Sequence, residues 1–100
     1  MDNLLVCAGQ ICRQPARSES PAGIPQLSLV LEHRSQQQEA GLNRQCYVRL
    51  QVVCSGDLVQ QTQHLLLGDM VRVQGFLNRH QQRNGQAKLV LHAQHIEQIR

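Results

Sequence analysis

The chain has 100 residues, a formal net charge of +3, and only two aromatic side chains, Tyr47 and Phe76. That length suits one domain spanning 1–100 and leaves a thin margin of buried surface, which association with a second copy would improve. No apolar run reaches the roughly 18 residues a membrane helix needs, and the acidic, polar start Met1-Asp2-Asn3 lacks the basic and apolar regions of a secretory leader.

The first element expected is a buried strand over Leu4–Cys12, apolar and uncharged, with Gly9 as a bulge or close-approach point. Pro15 to Pro25 holds three prolines and a glycine and is expected to be a loop. In the second strand Leu27, Leu29 and Leu31 share one face while Ser28, Val30 and Glu32 share the other, and the pattern runs into His33-Arg34. A polar loop is expected from Ser35 to Asn43. The third strand alternates most clearly: Cys46, Val48, Leu50, Val52 and Cys54 on one face, Gln45, Tyr47, Arg49 and Gln51 on the other.

Ser55 or Asp57 is placed to cap a short helix, and Leu65-Leu66-Leu67 either ends that connection or begins the next strand. After the turn at Gly68-Asp69, Val71, Val73 and Leu77 face one way, and Arg72, Gln74 and Phe76 the other. A bulge at Gly75 would instead turn Phe76 into the core, the expectation adopted. Asn84-Gly85 marks a hairpin turn before a last strand from Ala87, in which Leu89, Leu91 and Ala93 alternate with Lys88, Val90 and His92. The pattern describes an all-β chain, a five-stranded barrel with a long final β-hairpin.

Chemistry narrows the function. The four cysteines, Cys7, Cys12, Cys46 and Cys54, lack metal-site spacing and are expected to be buried free thiols, which implies a reducing compartment, the cytoplasm. The carboxylates are scattered, no phosphate loop is present, and His92 and His95, three apart on a strand, are expected on opposite faces. A non-enzyme needing no cofactor is expected. Binding of single-stranded nucleic acid needs a cationic groove and flat stacking groups. Arg79, Arg83 and Lys88 flank the final hairpin turn within a stretch, Met70–Ile96, that has no acidic residue. Arg34 and Arg44 flank the polar loop, and Tyr47 stands beside Arg49 on a polar strand face, where a base is its best partner.

Four stretches in order, Ser20-Pro21-Ala22-Gly23-Ile24-Pro25, Leu29 to Ser35, Val73-Gln74-Gly75-Phe76-Leu77, and Asn84-Gly85 through Leu91-His92-Ala93, resemble the PriB family of primosomal replication proteins. The likeness runs the full length with a single-residue gap between Asp57 and His64. Gly68 to Gly75 also resembles a strand of bacterial single-stranded DNA-binding proteins. The resemblance implies an OB-fold homodimer without catalytic activity that acts in replication restart. Its implied partners are single-stranded DNA, PriA helicase, DnaT and single-stranded DNA-binding protein. Tyr47 stands where the family often has a tryptophan, and Arg83 and Lys88 match basic hairpin positions. Gln81 and Leu42 depart from an expected lysine and an expected aromatic, departures that bear on affinity more than on binding mode. An adaptor that joins primosome proteins and holds nucleic acid weakly is the competing reading.

Overall fold

The computed structural model describes residues 1–99. In chain order its elements are β1 (Leu5–Ile11), β2 (Ala16–Glu19), β3 (Pro25–Glu39), β4 (Leu42–Ser55), α1 (Asp57–Gln61), β5 (Met70–Gln81) and β6 (Ala87–Gln98). The sheet order is β1-β5-β6-β4-β3-β2, and an additional β1–β3 pairing closes the first five into a barrel with β2 flanking β3. All pairings are antiparallel except β4 with β6, where Gln51, Val52 and Val53 align with Val90, Leu91 and His92. This is the expected OB-fold.

Alternation explains the core. Ile11, Leu29, Leu31, Val52, Val71, Val73 and Leu91 point inward with Leu65, and Leu5, Cys7, Leu50, Leu77, Ala93 and Ile96 pack against them. Each such aliphatic side chain contributes about 1.5–3 kcal/mol on full burial. The short α1 packs Val59 onto Leu27 and Cys54. Its N-cap is Gly56, with no side-chain capping bond, so neither Ser55 nor Asp57 fills that role. Leu65-Leu66-Leu67 does not begin a strand; Leu65 is buried, and Asp69 Oδ2 accepts a 2.9 Å bond from the Leu66 amide to close a turn.

Closure depends on two glycines. β1 pairs with β5 from Leu5 to Gln10 and with β3 at Gln10 and Ile11, and a Cβ at the adjacent Gly9 would fall on the Glu32 carbonyl. A Cβ at Gly75 would fall on the His92 carbonyl. The irregularity near Gly75 lies on β6, where Gln74 pairs with His95 but Gly75 pairs with Ala93, leaving Gln94 as an extra residue. That bulge has two consequences. His92 and His95 share the outer face, contrary to expectation, because their partners Phe76 and Gln74 are two apart on a regular strand. Phe76 stays outside the core, its ring stacked on His92 at 5.0 Å. His80 Nε2 then lies 2.8 Å from His92 Nε2.

Two expected loops are strands. Ser35 to Asn43 is a β-arm: β3 pairs with β4 out to Glu39↔Leu42 around a two-residue turn, Ala40 (φ 52) and Gly41 (φ 75). Positive φ at both positions is the hairpin geometry that matches strand twist. Within the proline-rich segment, β2 pairs Ala16–Glu19 with Ser28–Pro25. Both stretches are largely solvent-exposed on both faces, so neither carries a hydrophobic alternation. The final hairpin closes through Gln82–Gln86, with Gly85 at φ 82 and the Asn84 side chain accepting from the Gln86 amide at 3.0 Å.

Candidate nucleic-acid interface

The β3–β4 register sets Arg34 opposite Tyr47 and Glu32 opposite Arg49 on the outer face. Directly and diagonally opposed side chains on one face meet, and four of them form a cluster here. The Tyr47 hydroxyl donates to Glu32 Oε2 at 3.1 Å. Arg34 Nε donates to Glu32 Oε1 at 3.3 Å, and Arg49 Nε to Oε2 at 3.4 Å. The Arg34 guanidinium carbon sits 4.4 Å over the Tyr47 ring, and Tyr47 as a residue remains 51% exposed. The hydrogen bond from Tyr47, then those from Arg34 and Arg49, hold the Glu32 carboxyl below its usual range. Each arginine engages Glu32 through Nε, so four of the five guanidinium N–H donors stay outside that bond.

Arg49 also lines a cleft of ≈ 540 Å³ together with Arg13, Val30, Lys88 and Leu89. Lys88 arrives there because β6 runs parallel to β4 and Lys88 stands two positions before Val90, the partner of Gln51. Arg13 is a cleft residue that the sequence pattern does not single out. It follows directly on Cys12, whose amide bonds the Val30 carbonyl at 3.0 Å and so holds the chain's exit from β1 beside β3. Arg13 continues into a neighbouring hollow with Ser28, Val30 and Gln51. A lone arginine just after a buried strand was the available signal.

Of the residues expected in the site, the structure thus brings together Arg34, Tyr47 and Arg49, and sets Lys88 on the same cleft as Arg49. Arg44 lies out on the β3–β4 arm and pairs with Glu39 at 3.5 Å. Arg79 is in register with Leu89, whose side chain lines the cleft, and Arg83 lies in the β5–β6 turn. Neither has a carboxylate within 4.0 Å among the described residues. Arg72 pairs with Glu97 at 2.9 Å, a partner that lies opposite it in the β5–β6 register.

All four cysteines are free; Cys54 is buried and the other three are half-buried. Burial pushes the Cys54 thiol up to about 11 and raises Cys7 as well. Among the described residues, no three His, Cys, Asp or Glu side chains gather as a metal site would require, and no helix is long and apolar enough to cross a membrane.

Residues 3–95 match a family described as another single-strand binding protein family. The chain is 54% identical to replication restart protein PriB of Photorhabdus laumondii over 98 residues, covering 97% of this chain and 93% of that protein. It is 51% identical to the PriB of Erwinia tasmaniensis over the same shares. In three dimensions it is similar to the PriB protein of Ralstonia solanacearum, with a TM-score of 0.81 at 21% identity over 99% of this chain and 100% of that one. The small single-stranded DNA-binding protein of Streptomyces coelicolor superimposes with a TM-score of 0.78 at 21% identity over 99% and 95% of the two chains.

Proposed function

We propose, from the premise that this chain belongs to the PriB family of replication restart proteins, that it binds single-stranded DNA across the outer face of β3 and β4. The observation that carries this reading is the stack of Arg34 on a half-exposed Tyr47 beside Arg49, with Lys88 on the adjoining cleft. A base stacks on the tyrosine while the cations neutralise phosphates on either side, the two requirements for sequence-tolerant strand binding. Arg83 and Arg79 extend the cationic path along the final hairpin, and Arg44 extends it along the β3–β4 arm. The whole chain acts as one OB-fold unit without catalysis, in the cytoplasm.

In replication restart the DNA-bound protein engages PriA helicase, DnaT and single-stranded DNA-binding protein. It works as a homodimer. Support for the dimer comes from β1, whose Leu5–Gly9 stretch pairs with β5 on one side but meets β3 only from Gln10 onward. Val6 there is 52% exposed, and a half-open apolar edge is relieved by a second copy.

Titration of a labelled oligonucleotide across salt tests the reading. A log–log slope of several units is expected, since each neutralised phosphate on a single strand contributes about 0.7. The pairing of Arg44 and Arg72 with carboxylates favours a second reading, a protein–protein adaptor. No measurable DNA binding at low salt would select it.

A further inference from the structure

One acidic side chain stands at the centre of the proposed DNA surface. Glu32 is 19% exposed and receives Tyr47, Arg34 and Arg49 at 3.1, 3.3 and 3.4 Å. On charge alone, a carboxylate is a liability where phosphate must come. Geometry supplies the compensation, because three groups suited to meet the strand take their positions from this one carboxylate. Arginine is among the side chains whose ordering costs most conformational entropy. A guanidinium already held through Nε gives up less of that freedom when a phosphate arrives.

We infer that Glu32 is a positioning residue for single-stranded DNA: it fixes the Tyr47 ring and the Arg34 and Arg49 guanidiniums in advance and touches no DNA itself. The inference rests on the reading that DNA crosses this face. Glu32 is charged through the neutral range as an ordinary carboxylate is, and its three partners hold its carboxyl lower still. The groups facing it are those three and, across the β1–β3 pairing, the neutral Gln10.

Positioning and simple charge balance predict opposite signs. If Glu32 only offsets two arginines, removing it tightens DNA binding. If it positions them, removing it weakens binding even though the site becomes more positive. Tyr47 makes the contact observable, since the protein contains one tyrosine and no tryptophan. A carboxylate that accepts a phenol hydrogen bond quenches tyrosine emission, so intrinsic fluorescence comes from Tyr47 alone and responds to the Glu32–Tyr47 bond.

The experiment compares wild type, Glu32→Ala, Glu32→Gln and Tyr47→Ala. Oligonucleotide affinity is measured over a range of salt, and the variants are compared where the Debye length is cut to about 5 Å, which suppresses long-range repulsion. Expected for Glu32→Ala are brighter tyrosine emission, an affinity about threefold to tenfold weaker, the scale of one lost hydrogen bond, and a salt slope no shallower than wild type. Glu32→Gln, which keeps size and one acceptor, falls between the two and serves if the alanine variant folds poorly. In Tyr47→Ala, adding Glu32→Ala costs less than it does in wild type. Wild-type or tighter binding by Glu32→Ala and Glu32→Gln, with Tyr47→Ala weakened, overturns the inference and leaves the DNA placement standing. Unweakened binding by Tyr47→Ala overturns the DNA placement, and the role of Glu32 with it.

Discussion

Arg34 and Tyr47 are directly opposed on the β3–β4 ladder, and the guanidinium covers the ring at 4.4 Å. At an exposed site such a contact is worth about 0.5–1 kcal/mol. On the proposed DNA path Arg34 is at once a phosphate partner and the backing of a stacking platform, two roles that substitution separates. Arg34→Lys keeps the charge but loses the planar stack. It should weaken DNA binding by about threefold with the salt slope unchanged, a scale set by the stacking energy. Arg34→Ala should weaken binding further and reduce the slope by about 0.7. Salt titrations of the two variants check this, and equal slopes would remove Arg34 from the phosphate path.

Barrel closure is tested at Gly9 and Gly75. An alanine at either position drives its Cβ into the backbone carbonyl of Glu32 or His92, which cannot swing aside as a side chain can. Gly9→Ala and Gly75→Ala should each lower stability by about 3 kcal/mol, the upper end of overpacking costs, or prevent folding. Gly23→Ala is the comparison. Its Cβ enters open space and only its φ of +83 is strained, a cost of about 1 kcal/mol. Denaturant unfolding ranks the three, and a Gly75→Ala variant as stable as Gly23→Ala would contradict the close approach.

Much of this architecture is legible in the sequence, and the boundary is set by burial. The half-buried strand Cys46–Cys54 alternates because one of its faces meets the core at Val52 and Cys54. The arm from Ser35 to Asn43 and the short β2 do not alternate, since water lies on both sides of them, and the glutamines of the arm and the prolines flanking β2 resemble loops. The extra residue at Gln94 is equally silent, and with it go the shared face of His92 and His95 and the outward setting of Phe76. In the candidate site, Tyr47 beside Arg49 shows as a polar strand face with an aromatic on it. Glu32 does not, because its meeting with Tyr47 and Arg49 depends on a register set by distant pairing across the hairpin. Arg13 is hidden for the same reason.

The thiols give a pH test. Burial holds the Cys54 proton until about 11 in the folded chain, above the 9.0 of a free thiol. A raised pKa contributes stability that is complete below the unfolded value and is lost as pH climbs through the folded one. Unfolding free energy should therefore fall between pH 9 and 11, the window set by those two values. In native protein at pH near 8, close to the ordinary thiol range, Cys54 should react with a thiol reagent more slowly than the half-buried Cys12 and Cys46. Timed labelling with peptide mapping checks the order, and early modification of Cys54 would contradict its burial.

The account turns on where the DNA lies, and paired substitutions measure that most directly. Tyr47→Ala removes a stacking platform worth about 1–3 kcal/mol per base. It removes no cation, so oligonucleotide affinity should drop while the salt slope stays near the wild-type value. Lys88→Ala and Arg83→Ala each remove a phosphate partner, so affinity should drop and the slope should shrink by about 0.7. Misfolding would lower affinity in all three without sorting them by slope. Wild-type binding by Tyr47→Ala, together with full salt dependence in Lys88→Ala and Arg83→Ala, would contradict the account and put the DNA elsewhere on the barrel.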